Sequence, residues 1–269
     1  MRLLFAVLLA ALPAVAQEHQ HGGDAVAASD KDSAVPTHQN HPLDKDAPKP
    51  RGKMIELMKG SKAYVAKPKG KPTGAVLVIH EWWGLNDWVK HQADLLADEG
   101  YLALAIDLYQ GKVAKDPKEA GELMGKKDEA YGDKAEEAGL EWLKKNGGGV
   151  KIATIGWCMG GGESLKASLH DPKDVNATVI HYGMPDSDVA KLKTLQGPVL
   201  GIWANKDGWI TPDKVAAFDK ALTDAGIKHE FHAYDADHAF ANPSGGKYNG
   251  EAAKDAWEKT KAFLKANLG

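Results

Sequence analysis

Cys158 is the only cysteine in a chain of 269 residues, and it stands in Gly156-Trp157-Cys158-Met159-Gly160-Gly161, directly after the apolar run 150–155. A strand that turns through glycine, nucleophile and glycine into a helix holds the central side chain at the apex of a tight bend, where Cβ atoms on the flanking residues would collide. The helix expected over 161–170 aims its free N–H groups and positive dipole end at the sulfur, which favours thiolate. A cysteine outside such a frame reads as a small buried hydrophobe; within it, the thiol reads as a nucleophile for a carbonyl carbon. Asp207 in Asn205-Lys206-Asp207-Gly208 and His238 in Asp237-His238-Ala239-Phe240 follow in chain order. An imidazole can take the thiol proton and return it to a leaving group, while a carboxylate fixes the ring's tautomer and orientation. Asp213, Asp235 and Asp237 compete for the carboxylate role, and Asp207 is preferred because it follows the end of the run 199–204. Glu81, in His80-Glu81-Trp82-Trp83-Gly84, either caps a turn or takes the thiol proton. The backbone N–H groups of Met159 and Trp82 are the expected oxyanion donors, each able to stabilise a tetrahedral intermediate by roughly 3 kcal/mol. His80, His181 and His229 read as structural.

These residues need elements that bring them together. The runs 75–79, 102–106, 150–155, 177–180 and 199–204 are continuously apolar, as in parallel strands covered on both faces, and 229–234 supplies a further strand. Apolar spacing predicts helices over 88–99, 134–145, 211–225 and 250–268, with Thr211-Pro212 as N-cap and first-turn proline. Two short strands, 54–59 and 62–66, form an antiparallel hairpin across Gly60-Ser61. Repeated strand–helix units define the α/β class with a doubly wound, mostly parallel sheet flanked by helices. Functional groups in such sheets gather at the carboxyl ends of the strands, and Glu81, Cys158, Asp207 and His238 all fall there.

The formal net charge of −3, with no basic stripe, argues against a nucleic-acid partner. Arginine occurs only at Arg2 and Arg51, so the region after 51 carries no guanidinium to grip a substrate carboxylate in a bidentate fork. Residues 1–16 read as a secretory signal: Arg2, an apolar stretch over 3–12 too short to span a membrane, and Ala14-Val15-Ala16 as cleavage site. The expectation is a periplasmic or secreted protein with no membrane attachment after cleavage. Residues 17–53 form a polar, His-rich tail without enough apolar surface to order itself. Cleavage after Ala16 would leave His19 third from a free amine, an arrangement that can wrap Cu(II) or Ni(II); a solvated tail with no metal role is the competing reading. The domain proper is expected over 54–269.

From about residue 54 to 268 the chain resembles the dienelactone hydrolases of the α/β-hydrolase superfamily. The likeness rests on Glu81-Trp82-Trp83-Gly84-Leu85-Asn86, Asp107-Leu108-Tyr109, Gly156-Trp157-Cys158-Met159-Gly160-Gly161, Asp207 and His238-Ala239-Phe240. It implies the α/β-hydrolase fold, a Cys158–Asp207–His238 triad with Glu81 deprotonating Cys158 once substrate enters, and an acyl-thiol intermediate. It also implies cleavage of an ester or lactone without a metal or other cofactor. One departure is plain. The founding members clamp a substrate carboxylate with two arginines, and the matching stretches here read Tyr109-Gln110-Gly111-Lys112 and Phe240-Ala241-Asn242-Pro243. Lys112 can replace an arginine only as a point charge, and Asn242 only as a neutral donor.

The sequence therefore predicts a carboxylic ester or lactone hydrolase, monomeric or homodimeric, acting on a small molecule. Trp83, Tyr109, Lys112, Trp157, Trp209, Phe240 and Asn242 are the candidate pocket residues, with plain packing as the alternative for the tryptophans. Competing functions are a broad esterase or thioesterase on the same machinery, or a periplasmic metal-handling protein acting through the His-rich tail.

Overall fold

The computed structural model describes residues 49–243 and 245–269. The expected signal segment, nearly all of the polar tail and His19 lie outside the described residues. Where the tail was expected to run to 53, the described part is already tied to the domain. Arg51 donates to Asp98 at 2.7 Å, its backbone N–H reaches Asp94 at 3.0 Å, and the first strand begins at Lys53.

Eight strands form one sheet: β1 (Lys53–Met58), β2 (Ser61–Ala66), β3 (Gly74–Ile79), β4 (Tyr101–Ile106), β5 (Ile152–Trp157), β6 (Ala177–His181), β7 (Val199–Ala204) and β8 (His229–Tyr234). Their order is β1-β2-β4-β3-β5-β6-β7-β8. The β1–β2 and β2–β4 pairs are antiparallel and every other pair is parallel. Seven helices accompany them among the described residues: α1 (Asp87–Asp98), α2 (Pro117–Gly125), α3 (Glu129–Asn146), α4 (Met159–His170), α5 (Val189–Leu192), α6 (Pro212–Ala225) and α7 (Gly250–Leu268). Among them, no helix is long and apolar enough to cross a membrane.

Strands β3, β4, β5 and β7 are buried at every residue, which is why their sequences read as unbroken apolar runs rather than alternations. One face of the sheet packs Val76, Val78, Ile155 and Ile202 against α1 (Trp88, Leu96) and α7 (Phe263, Leu264). The other packs Leu77, Ile79, Leu104 and Ile106 against α3 (Leu140, Leu143), and farther along Ile180 and Trp203 against α6 (Phe218, Leu222). Helix α4 is fastened to the strands beneath it by buried hydroxyls. Ser164 Oγ donates to Thr154 Oγ1 at 2.8 Å, the Thr178 hydroxyl reaches Ser168 Oγ at 2.7 Å, and Ser168 Oγ donates to Ser164 O at 2.9 Å.

The chain passes from β3 outward to β4 and then returns across β3 to start β5, so the winding reverses between β3 and β5. The crevice beyond the carboxyl ends of strands at such a reversal is where groups on neighbouring loops converge. His80-Glu81-Trp82 leave β3 there and Cys158 leaves β5.

Candidate active site

Cys158 follows β5 without a spacer and is the N-cap of α4, with φ 55° and ψ −121°. A non-glycine residue in this region is strained and persists only where its surroundings over-determine it. Here they do: Cys158 N donates to His181 O at 3.0 Å, and its carbonyl accepts from Gly161 N at 3.0 Å. The flanking glycines are required by contact. A Cβ on Gly156 would lie 1.9 Å from Gly160 O, and one on Gly160 would lie 2.4 Å from both Ile79 O and His80 O. The elbow is thus pressed against the end of β3 as well as against its own helix.

His238 stands between Cys158 and Asp207. Its Nδ1 lies 2.5 Å from Asp207 Oδ2 and its Nε2 3.0 Å from Cys158 Sγ. The carboxylate selects the tautomer with hydrogen on Nδ1, which leaves Nε2 to accept from the thiol. Asp207 is 3% exposed, and its second oxygen accepts from Trp209 N at 2.8 Å and Ile210 N at 3.0 Å. Burial alone would raise its pKa, but the bond from His238 and those from Ile210 and Trp209 outweigh it and hold Asp207 below its ordinary value. The three other aspartates are placed elsewhere: Asp235 pairs with Lys206, Asp237 with Lys247, and Asp213 lies in the first turn of α6. Tyr182 and Trp209 meet the His238 ring edge-on, with centroids 5.4 and 5.5 Å away. Ala239 next to it is held at φ 63°.

Burial pushes the Cys158 thiol up, and the Glu81 charge adds to this. The backbone N–H groups of Met159 and Trp82 bond to the sulfur and pull in the opposite direction. Two donors that converge on the Cys158 sulfur are placed where they could bond the oxygen of a carbonyl attached to it. The Trp82 turn is braced from behind by His80, whose Nδ1–H donates to Glu81 O at 2.5 Å while its Nε2 accepts from Leu108 N at 3.0 Å. Burial lowers the His80 pKa, consistent with a neutral ring that both gives and receives. Glu81 is 1% exposed; its Oε2 accepts from Asn242 Nδ2 and its Oε1 has no hydrogen-bond partner. Burial raises its carboxyl to about 8 against the weaker pull of Asn242.

The other expected pocket residues divide. Tyr109 donates to Met159 Sδ at 3.2 Å, and Trp209 is 63% exposed beside His238. Trp83 packs on Ala114, Ala120 and Trp82. Trp157 is buried between Trp88 and His181, and Phe240 between Tyr182 and Tyr234; both belong to the core. Trp203 is also core, against Phe218 and Phe231. Lys112 lines a different depression, with Met54, Glu56, Lys62 and Lys90. The cleft that adjoins the elbow, about 860 Å³, is lined instead by Met124, Met159, Gly162, Leu165, Leu169 and Met184, with Lys166, Lys191 and His170 among its polar residues. Reading strand ends would have reached Tyr182 and Met184, since His181-Tyr182-Gly183-Met184 leaves β6. Nothing in the spacing pointed to Met124 on α2.

A mostly parallel, helix-flanked sheet with a tight Gly-x-Cys-x-Gly elbow after β5, an aspartate after β7 and a histidine after β8 has the architecture of an α/β-hydrolase. The model of the dienelactone hydrolase family matches residues 61–268, and the chain belongs to that family. A relative from Saccharolobus solfataricus, named provisionally a carboxymethylenebutenolidase, is 34% identical over 245 residues, covering 76% of this chain and 93% of its own. A crystal structure of a provisional dienelactone hydrolase from Klebsiella pneumoniae has a TM-score of 0.69 at 30% identity, over 76% of this chain and 92% of its own. The fold is also that of a dienelactone hydrolase-like promiscuous phosphotriesterase from metagenomic libraries, with a TM-score of 0.73 at 22% identity over 81% of this chain and 98% of its own. The protein is a carboxylic ester hydrolase.

Proposed function

We propose that this hydrolase cleaves neutral carboxylic esters or lactones through an acyl-thiol intermediate on Cys158. The observation that carries this reading is the continuous chain from Cys158 Sγ through His238 to Asp207, at 3.0 and 2.5 Å, with two backbone N–H groups directed at the sulfur. His238 Nε2 takes the thiol proton as sulfur bonds to the carbonyl carbon. The carbonyl oxygen becomes an oxyanion held by Met159 N and Trp82 N. On collapse the C–O bond to the alcohol breaks and His238 returns the proton to the leaving oxygen. Water then adds to the thioester carbonyl, giving its proton to His238, and the second collapse releases the acid while the proton returns to sulfur. Asp207 holds the ring through both steps and stabilises its cationic form.

The resting charge of the site supports His238 rather than Glu81 as first proton acceptor. Glu81 carries its proton over most of the neutral range, and its ionised form would raise the thiol further. Asn242, where an arginine would grip a carboxylate, is a neutral donor engaged with Glu81. Neutral substrates with an apolar group for the methionine-lined cleft fit this arrangement.

Hydrolysis of a small aryl ester tests the assignment. Cys158→Ala and His238→Ala should each lose at least 10³-fold in kcat/KM, and mass spectrometry of briefly reacted enzyme should find the acyl group on the peptide carrying Cys158. Wild-type turnover by Cys158→Ala would overturn the reading.

A further inference from the structure

We propose that the depression between α1 and α7, behind the nucleophile elbow, is a binding site for a small phenol or comparable aromatic alcohol. It measures about 250 Å³ and is walled by Trp88, Trp157 and Trp257, with His181, Tyr248 and Ala253 completing it. An apolar cavity of about 150 Å³ already accommodates benzene, so a single substituted ring fits. The three tryptophans belong to the cluster that α1 and α7 build on one face of the sheet. The methionine-lined cleft runs along α4 instead, so this is a place apart from it.

The observation that points to a ligand is a pair of buried atoms of opposite character. Trp88 is 1% exposed and His181 2%, and among the described residues neither Trp88 Nε1 nor His181 Nδ1 has a hydrogen-bond partner. The indole nitrogen can only donate. The imidazole nitrogen can only accept, as the other side of the ring shows. Thr260 Oγ1 gives its one hydrogen to Ala256 O at 2.8 Å, so it accepts from His181 Nε2 at 3.1 Å, and the ring's hydrogen sits on Nε2. Burial lowers the pKa of His181 to about 3, which leaves Nδ1 bare throughout the neutral range. An unmet donor or acceptor in the interior is costly, and native proteins rarely keep one without a water, a ligand or a task.

These two atoms select the ligand. A hydroxyl offers a proton to His181 Nδ1 and lone pairs to the Trp88 N–H, directly or through one water beside it. A carboxylate has no proton to offer, and a hydrocarbon has neither group. The indole rings around the site suit a flat apolar body, which they meet face-on or edge-on. The ligand reaches the two atoms by turning aside Tyr248, which is 48% exposed at the rim.

The experiment follows the indole N–H signals of the full chain by ¹H–¹⁵N NMR while phenol is added. The chain has eight tryptophans, and the signal missing from Trp88→Phe is that of Trp88. Phenol should move this signal saturably, with a Kd of about 1 mM or tighter. Toluene, which has the same shape, and benzoate should each bind at least about tenfold more weakly. Trp88→Phe keeps a ring but loses the donor, and should weaken phenol by a similar factor, read from the remaining indole signals. Ala253→Phe fills the depression from α7 and should abolish binding while KM for a small aryl ester stays unchanged, which separates this site from Cys158. Should Trp88→Phe fail to fold, Ala253→Phe decides alone, with phenol binding followed by calorimetry. A Trp88 signal unmoved at about 10 mM phenol, toluene or benzoate binding as tightly as phenol, or binding undiminished in Ala253→Phe overturns the site.

Discussion

At Glu81 a carboxyl is held where its charged form is poorly served: one oxygen meets Asn242 and the other nothing. Burial lifts its pKa from 4.5 to about 8. Below pH 4.5 the folded and unfolded chains both hold the proton, and the folded state carries no penalty. As pH rises toward 8 the unfolded chain releases it first, so stability falls by a few kcal/mol over that window and then levels. Glu81→Gln cannot ionise and keeps an acceptor for Asn242. It should therefore gain several degrees of Tm over the natural chain at pH 8 and almost nothing at pH 4.5, as thermal melts across pH will show. The same variant separates two roles. With His238 as first acceptor of the thiol proton, kcat/KM at pH 7 stays within about tenfold of wild type, whereas a general base at Glu81 would take it down by 10²-fold or more.

Among the elements, α4 carries the heaviest positional demand, since it begins at the elbow and, in the proposed mechanism, supplies one oxyanion donor. Its seat is the hydroxyl network of Thr154, Ser164, Ser168 and Thr178, in which Ser164 Oγ also lies within hydrogen-bond reach of Val179 O at 3.0 Å. Ser164→Ala leaves buried partners unmet, at about 1–3 kcal/mol, and should lower Tm by roughly 5 °C with a loss of kcat from the displaced elbow. Steady-state kinetics beside a melt would show both, and unchanged values would remove the network from this role. The parallel strands could be read from sequence because burial on both faces writes an unbroken apolar run. Helix α2 could not, because Ala120 is its one buried residue and leaves no apolar period to see. Helix α4 begins at Met159 rather than 161 because the glycines that would weaken a free helix are the residues that let this one approach β3 and β6.

At the scale of the whole molecule, the meeting of Cys158, Asp207 and His238 was legible because each follows a strand end, a rule set by topology. The methionine-lined cleft beside the elbow was not. Its methionines come from α2, from α4 and from the loop after β6, and only the packed chain brings them together. Trp157 and Phe240 occupy the core for the complementary reason: a side chain at a strand end can turn inward as readily as toward the cleft. With Lys112 in another depression and Asn242 engaged, no cation among the expected pocket residues meets a substrate carboxylate at Cys158. A panel pairing neutral aryl or alkyl esters with anionic lactones of similar size should show at least tenfold higher kcat/KM for the neutral members, and the reverse order would point to a cationic clamp elsewhere. The raised thiol has a consequence of another kind. Peroxide consumes thiolates, not thiols, and under the proposed mechanism a sulfur that surrenders its proton only when an ester arrives spends its idle time in the form least open to oxidation. A protein whose single cysteine is also its proposed nucleophile has no spare thiol to sacrifice, and the burial that raises this thiol would also preserve it between turnovers.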